Sequence, residues 1–158
     1  MRYLYLLIMA LMPMLAEGQS VREITNIKPF SKITIASGIN VILSKSDKRA
    51  IRVEGERSVI SKVMCSVDET ELSIYATKFK YKQSKKINVY VDYDSTIVSI
   101  VGSSGNHVRT ETPLVGEYIE VHGKNGCDFF VMLDAGKVKA KVSNGSNIRL
   151  VGRAEEVD

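Results

Sequence analysis

A chain of 158 residues has room for one domain, and 44% hydrophobic residues are enough to bury a core, which excludes a disordered polymer. Aromatics make up 7% and there is no Trp, so that core rests on Val, Ile and Leu, the residues that suit strands. The net charge of +4 is too mild to demand a polyanionic partner, though it is compatible with anionic glycans or lipid surfaces.

Met1-Arg2 is a short positive start, and Tyr3 to Leu15 is an apolar run broken by Pro13. Ala16-Glu17-Gly18 then places small residues for cleavage before Gln19. This is the plan of a secretory signal peptide, residues 1–18, with the mature domain at 19–158. The run is shorter than the roughly 18 to 20 apolar residues that span a bilayer. No second apolar run exists and no Cys stands directly after this one, so the reading is neither an integral membrane protein nor a lipoprotein. An exported chain implies the periplasm, the outer-membrane surface or the extracellular space. Cys65 and Cys127 would meet an oxidising compartment, where a disulfide between them competes with two free buried thiols.

Along the mature chain, apolar and polar residues alternate in Lys32–Ala36, Asn40–Ser44, Ala50–Glu54, Glu71–Tyr75 and Lys86–Val91. Period-two patterning between turn residues predicts half-buried strands. Ser58 to Met64 is the one helix candidate, with Val59, Ile60, Val63 and Met64 at helical spacing. The second half repeats itself: Gly105, Gly126 and Gly145 recur at steps of about 20 residues. Each follows an alternating strand, sits in a small polar turn and precedes an apolar residue by three positions. This predicts an all-β fold, a β-solenoid with coils of about 20 residues, with a β-sandwich as the alternative architecture.

Phe30-Ser31-Lys32-Ile33-Thr34-Ile35-Ala36-Ser37-Gly38-Ile39-Asn40-Val41-Ile42-Leu43 resembles the opening of the GIN domain family, and Leu72-Ser73-Ile74, Ile87–Val91 and the Gly-Ser-Asn turns extend the match over about residues 28–152. That family comprises secreted proteins common in Bacteroidetes, described as auto-transporter adhesin heads. The resemblance implies a right-handed β-helix-like head, a right-handed β-solenoid, outside the cytoplasm with no catalytic residues; no cofactor is expected. Members usually continue for further coils, so a stack ending near Asp158 would present an open edge able to self-associate.

The densest basic stretch is Lys78-Phe79-Lys80-Tyr81-Lys82. On a strand, Lys78, Lys80 and Lys82 share one face. With Tyr81 or Tyr75 as stacking partners they form a candidate strip for anionic glycan, lipopolysaccharide or envelope proteins; the competing reading is a solvated edge. Nucleic acid is not expected, since the chain leaves the cytoplasm and carries no recognised binding motif. Asp92 and Asp94 would share a strand face, but neighbouring acids do not make the cleft-spanning pair of a glycosidase or a calcium site, so a polysaccharide-active enzyme is the weaker alternative. His107 and His122 lack a third zinc ligand. His107 falls in the repeat slot that Asp128 and Asn147 occupy, which favours a turn role. Asn40, Asn106 and Asn147 each follow a Gly within two residues, as turn chemistry or as a polar stripe for sugar hydroxyls.

Overall fold

The computed structural model describes residues 20–77 and 86–158, of which 65% are strand and 3% helix. The all-β expectation holds. The sheet curls into an open half-barrel around one apolar core. The expected strands appear as β2 (Lys32–Ile35), β3 (Asn40–Lys45), β4 (Ala50–Gly55), β6 (Glu71–Ala76) and β7 (Asn88–Tyr93). They are joined by β1 (Ser20–Ile24), β5 (Val63–Asp68), β8 (Ser99–Ser103), β9 (His107–Thr110), β10 (Leu114–Lys124), β11 (Asp128–Val142) and β12 (Asn147–Val157).

The helix expected at 58–64 shrinks to one turn, α1 (Arg57–Ile60), which buries Val59 and Ile60. From Val63 onward the chain is strand, because β5 pairs antiparallel with β6 from Val63↔Ala76 to Asp68↔Glu71. Seven residues at helical spacing cannot hold a helix against a ladder of that length.

Parallel pairing organises the rest into strand–corner–strand units laid one on another. Both arms of β2–β3 pair with β8–β9, Lys32 against Ser99 and Asn40 against His107, at a separation of 67 residues. Both arms of β8–β9 meet the end of β10 and the start of β11 at 21. Those meet the remainder of β11 and β12 at 19. On the other side of β2–β3 lie β6 and β7, displaced by 39 and 48. Antiparallel β5 and β4–β1 finish that end. Where both arms share one separation, at 67, 21 and 19, a unit copies the path of its neighbour; β6 and β7, at 39 and 48, do not.

The corners explain the repeat. Ser37-Gly38, Ser104-Gly105, Asn125-Gly126 and Asn144-Gly145 all adopt positive φ at both residues. Gly occupies the second position, where a Cβ would be strained, and Asn or Ser the first. The corners stack through the Gly105 N–H on the Asn125 carbonyl and the Gly126 N–H on the Asn144 carbonyl, both 3.0 Å. Asn144 Nδ2 also donates to Asn125 Oδ1 at 2.8 Å.

The residue after each corner points inward: Ile39, Asn106, Cys127 and Ser146. Asn106 is fully buried and fully used. Its Oδ1 accepts the Ile39 N–H at 2.9 Å, and its Nδ2 donates to the carbonyls of Ile35 (3.0 Å) and Ser103 (2.5 Å). One side chain thus latches the first corner to the second. Cys127 bonds the Lys124 carbonyl through Sγ at 3.0 Å, and Ser146 Oγ accepts the Cys127 N–H at 3.1 Å. Beneath them the Phe129 ring lies against Gly102 and Gly123, at both of which a Cβ would press on it.

Candidate functional site

The outer face of β7, β3, β9, β11 and β12 carries two rows of side chains that cross the strands. Register places Asn88, Asn40, His107, Asp128 and Asn147 side by side in the first row. Their chain neighbours Val89, Val41, Val108 and Phe129 are buried in the core, so period two turns this row outward. Asn40 Nδ2 donates to Asn88 Oδ1, and Asn147 Nδ2 to Asp128 Oδ1, each at 3.1 Å. These bonds fix both ends of the row. They leave Asn88 Nδ2, Asn40 Oδ1, the His107 ring and Asp128 Oδ2 facing solvent.

Two positions further along each strand runs the second row: Tyr90, Ile42, Arg109, Phe130 and Arg149. Ile42 is 6% exposed yet stands outside the core cluster, since Tyr90 and Arg109 cover it from either side. Phe130 is 40% exposed. The Arg52 guanidinium lies 4.4 Å from the Tyr90 ring centre, a cation–π contact, and also bonds Glu54 at 3.2 Å. Arg109 pairs with Glu111 at 3.1 Å. Between the rows is a groove of about 390 Å3 lined by Asn40, Ile42, Tyr90, His107, Arg109 and Phe130, among others.

The residues singled out in the sequence distribute unevenly over this geometry. His107 and Asp128 do share a slot with Asn147, as the repeat alignment predicts. Asn40 and Asn147 join the outward stripe, whereas Asn106 turns inward as the latch. His122 is separate from His107: it stands on β10 beside Val101 and Lys141. Burial, then Lys124 and Lys141, lower its pKa. Its neighbour Glu120 is held below the usual carboxylate range by its hydrogen bond from Lys141. Among the described residues no group of three or more His, Cys, Asp or Glu is placed to hold a metal.

Tyr93 between the two acids is buried, which leaves Asp92 and Asp94 on the outer side of the strand end, and Asp94 is tied to Arg49, so the two are not a pair of free carboxylates. Cys65 and Cys127 are both free thiols, the second of the two arrangements weighed for them. Cys65 is on β5 at one end of the sheet order, and β6, β2 and β8 separate it from β10, which leads into Cys127. Burial pushes the Cys65 thiol up to about 11, against the lowering influence of Arg22. Lys78, Lys80, Tyr81 and Lys82 lie outside the described residues. Tyr75 of that candidate strip stands on β6 opposite Met64, and both are exposed.

Tyr90, Arg109 and Phe130 escaped the sequence reading. Carrying the repeat alignment two positions past the polar slot reaches Ile42, Arg109, Phe130 and Arg149.

A family profile described as "Putative auto-transporter adhesin, head GIN domain" matches residues 29–158. No curated protein matches the chain. Among solved structures, a putative adhesin from Bacteroides fragilis superposes with a TM-score of 0.80 at 17% identity, covering 90% of this chain and 66% of that one. Putative adhesins from Parabacteroides merdae (TM-score 0.78, 17% identity, 88% and 59% covered) and Parabacteroides distasonis (0.79, 16%, 89% and 60%) share the same fold. The chain spans less than two thirds of the length of each of these three.

Proposed function

The chain belongs to the GIN head-domain family, and from that premise we propose that it works as an exported, non-catalytic binding protein of adhesion type at the bacterial envelope. The profile match over residues 29–158 carries this reading. The solved adhesin-described chains of the same fold support it. In this reading residues 1–18 are a signal peptide removed before Gln19. Sequencing the N-terminus of the exported protein checks that: a start at Met1 refutes it.

We read the architecture as a short β-solenoid. Constant separation in both arms, 67, then 21, then 19, supports that over a sandwich, whose strands have no reason to repeat a register. Such a stack presents flat outer faces on which side chains recur at the strand spacing of about 4.8 Å. Recognition across such a face uses many weak polar contacts in place of one deep pocket.

The experiment is binding of the purified 19–158 chain to a panel of glycans and envelope polymers at low and high salt. It runs beside a variant with Lys78, Lys80 and Lys82 changed to Ala. Binding that weakens with salt and disappears in the variant assigns recognition to the basic strip. Binding that survives both assigns it elsewhere on the molecule. No binding to any member of the panel refutes the adhesion reading.

A further inference from the structure

We propose that the groove across β7, β3, β9 and β11 is a binding site for a neutral, hydroxyl-rich oligosaccharide lying across the strands. The inference rests on the reading of the chain as a binding protein and adds the site and the ligand class.

The geometry first removes other occupants. The groove lies on the face of interior strands, each hydrogen-bonded on both sides, so it offers no free backbone edge on which an extended peptide could add as a strand. Its charge is balanced. Arg109 and Asp128 are the opposed charges of the lining; around it Arg109 is paired with Glu111 at 3.1 Å and Arg52 with Glu54 at 3.2 Å, which leaves Arg149 to offset Asp128. A polyanion such as nucleic acid or an acidic polysaccharide needs an excess of cations, which this face does not supply.

What remains is what a sugar uses. Each hydroxyl both donates and accepts, so vicinal hydroxyls fit planar side chains that present donors and acceptors in turn. The first row does this with Asn88, Asn40, His107 and Asp128. The bonds from Asn40 to Asn88 and from Asn147 to Asp128 hold those groups in place before any ligand arrives. Preorganisation of this kind reduces the ordering cost of binding.

The second row supplies the apolar part. Sugar rings carry C–H faces that stack on aromatic rings, and Tyr90 and Phe130 stand on β7 and β11 with β3 and β9 between them. Three strand spacings separate them by about 14 Å, with Ile42 as the floor. That distance accommodates a chain of a few sugar residues, with one ring on the exposed Phe130 and another against the side of Tyr90 that Arg52 leaves uncovered. Phe130, at 40% exposed, is accessible for such stacking.

The test titrates the 19–158 chain with cellohexaose, mannohexaose, the hexamer of N-acetylglucosamine and, as a polyanionic comparison, hexagalacturonate. Calorimetry reads affinity and amide NMR reads location. A double variant, His107→Ala with Phe130→Ala, removes two exposed side chains from the groove; its unchanged thermal unfolding shows that it folds.

Expected is binding of a neutral hexamer, shifts centred on Asn40, His107 and Phe130, and an affinity that salt does not change. The double variant weakens it by about tenfold or more. The variant lacking Lys78, Lys80 and Lys82 binds as before. A neutral hexamer that binds with shifts elsewhere, or equally well to the double variant, overturns the groove and leaves the binding reading standing. Salt-sensitive binding of hexagalacturonate alone overturns the ligand class. Silence from all four probes overturns the site, and the wider polymer panel then decides whether the binding reading falls too.

Discussion

Replacing Asn106 with Ala tests the latch between the first two corners. The side chain is fully buried and makes three backbone hydrogen bonds, at 2.9, 3.0 and 2.5 Å. Truncation leaves the Ile39 N–H without its partner in the core, which costs about 1–3 kcal/mol. The carbonyls of Ile35 and Ser103 lose a donor each, and a small cavity opens; together these add about 1–2 kcal/mol. A loss of about 2–5 kcal/mol is a large part of the roughly 5–15 kcal/mol by which a domain is stable.

Urea unfolding followed by circular dichroism measures it. With a slope of about 2 kcal/mol/M the midpoint falls by about 1–2.5 M. Asn106→Asp sharpens the argument. Its carboxyl keeps the acceptor for Ile39 but faces two carbonyls, and burial raises its pKa. The neutral acid can donate one bond, so the variant is least destabilised below the ordinary carboxyl pKa of about 4. The penalty grows as pH rises through the window up to the raised value. A midpoint for Asn106→Ala within about 0.3 M of the parent, or an Asp variant indifferent to pH, refutes the latch.

Other substitutions separate the forces in the stack. At Gly152, φ is +135° and an added Cβ would sit 1.8 Å from the Leu133 carbonyl oxygen, so Gly152→Ala should part β12 from β11 and speed amide exchange along Asn147–Val157. Gly126→Ala meets open space and carries only the strain of φ +79°, so calorimetry should show a loss of about 1–2 kcal/mol; equal effects at the two sites would contradict this. Phe129→Ala empties the space against Gly102 and Gly123 and should cost about 3–5 kcal/mol in urea unfolding. Cys65, pushed up to about 11, should react with iodoacetamide far more slowly than a free thiol at pH 8 and faster as pH climbs towards that value, while Cys127 reacts only on unfolding. Denatured, unreduced protein with no titratable thiol would mean that the two cysteines pair after all.

Local pattern was legible where it is dictated by one strand at a time. The alternation in Lys32–Ile35 or Glu71–Ala76 survives because one face of each strand is core, and period two is the direct record of that. The corner glycines were legible because a positive φ restricts the residue, and the slot shared by His107, Asp128 and Asn147 followed from them. Partners in space were not legible. Nothing in the alternation of β2 says that it pairs with β8, 67 residues on, or that β5 outcompetes a helix through its ladder with β6. Asn106 looked like its fellow asparagines because a residue type does not reveal which side of a strand it takes one position after a corner. The second row of the groove was missed for a related reason: Tyr90 belongs to a strand outside the recognised repeat and joins Arg109 and Phe130 only through register.

The order in which the units lie on one another differs from the order in which they are made. β6 and β7 are formed after β2 and β3 in the chain but stack on their far side, and the partners on the near side arrive last, at β8 and β9. Residues of the first unit therefore wait for a segment 67 positions downstream before both their edges are satisfied. Assembly cannot proceed like a zip from the N-terminus, and the entropy of closing those long loops must be met before the contacts form. Such dependence on distant pairing slows folding towards the range of milliseconds to seconds found for non-local β topologies. A nascent chain would thus lack one flank of its first unit until about residue 110 has emerged, with the second unit closing the gap.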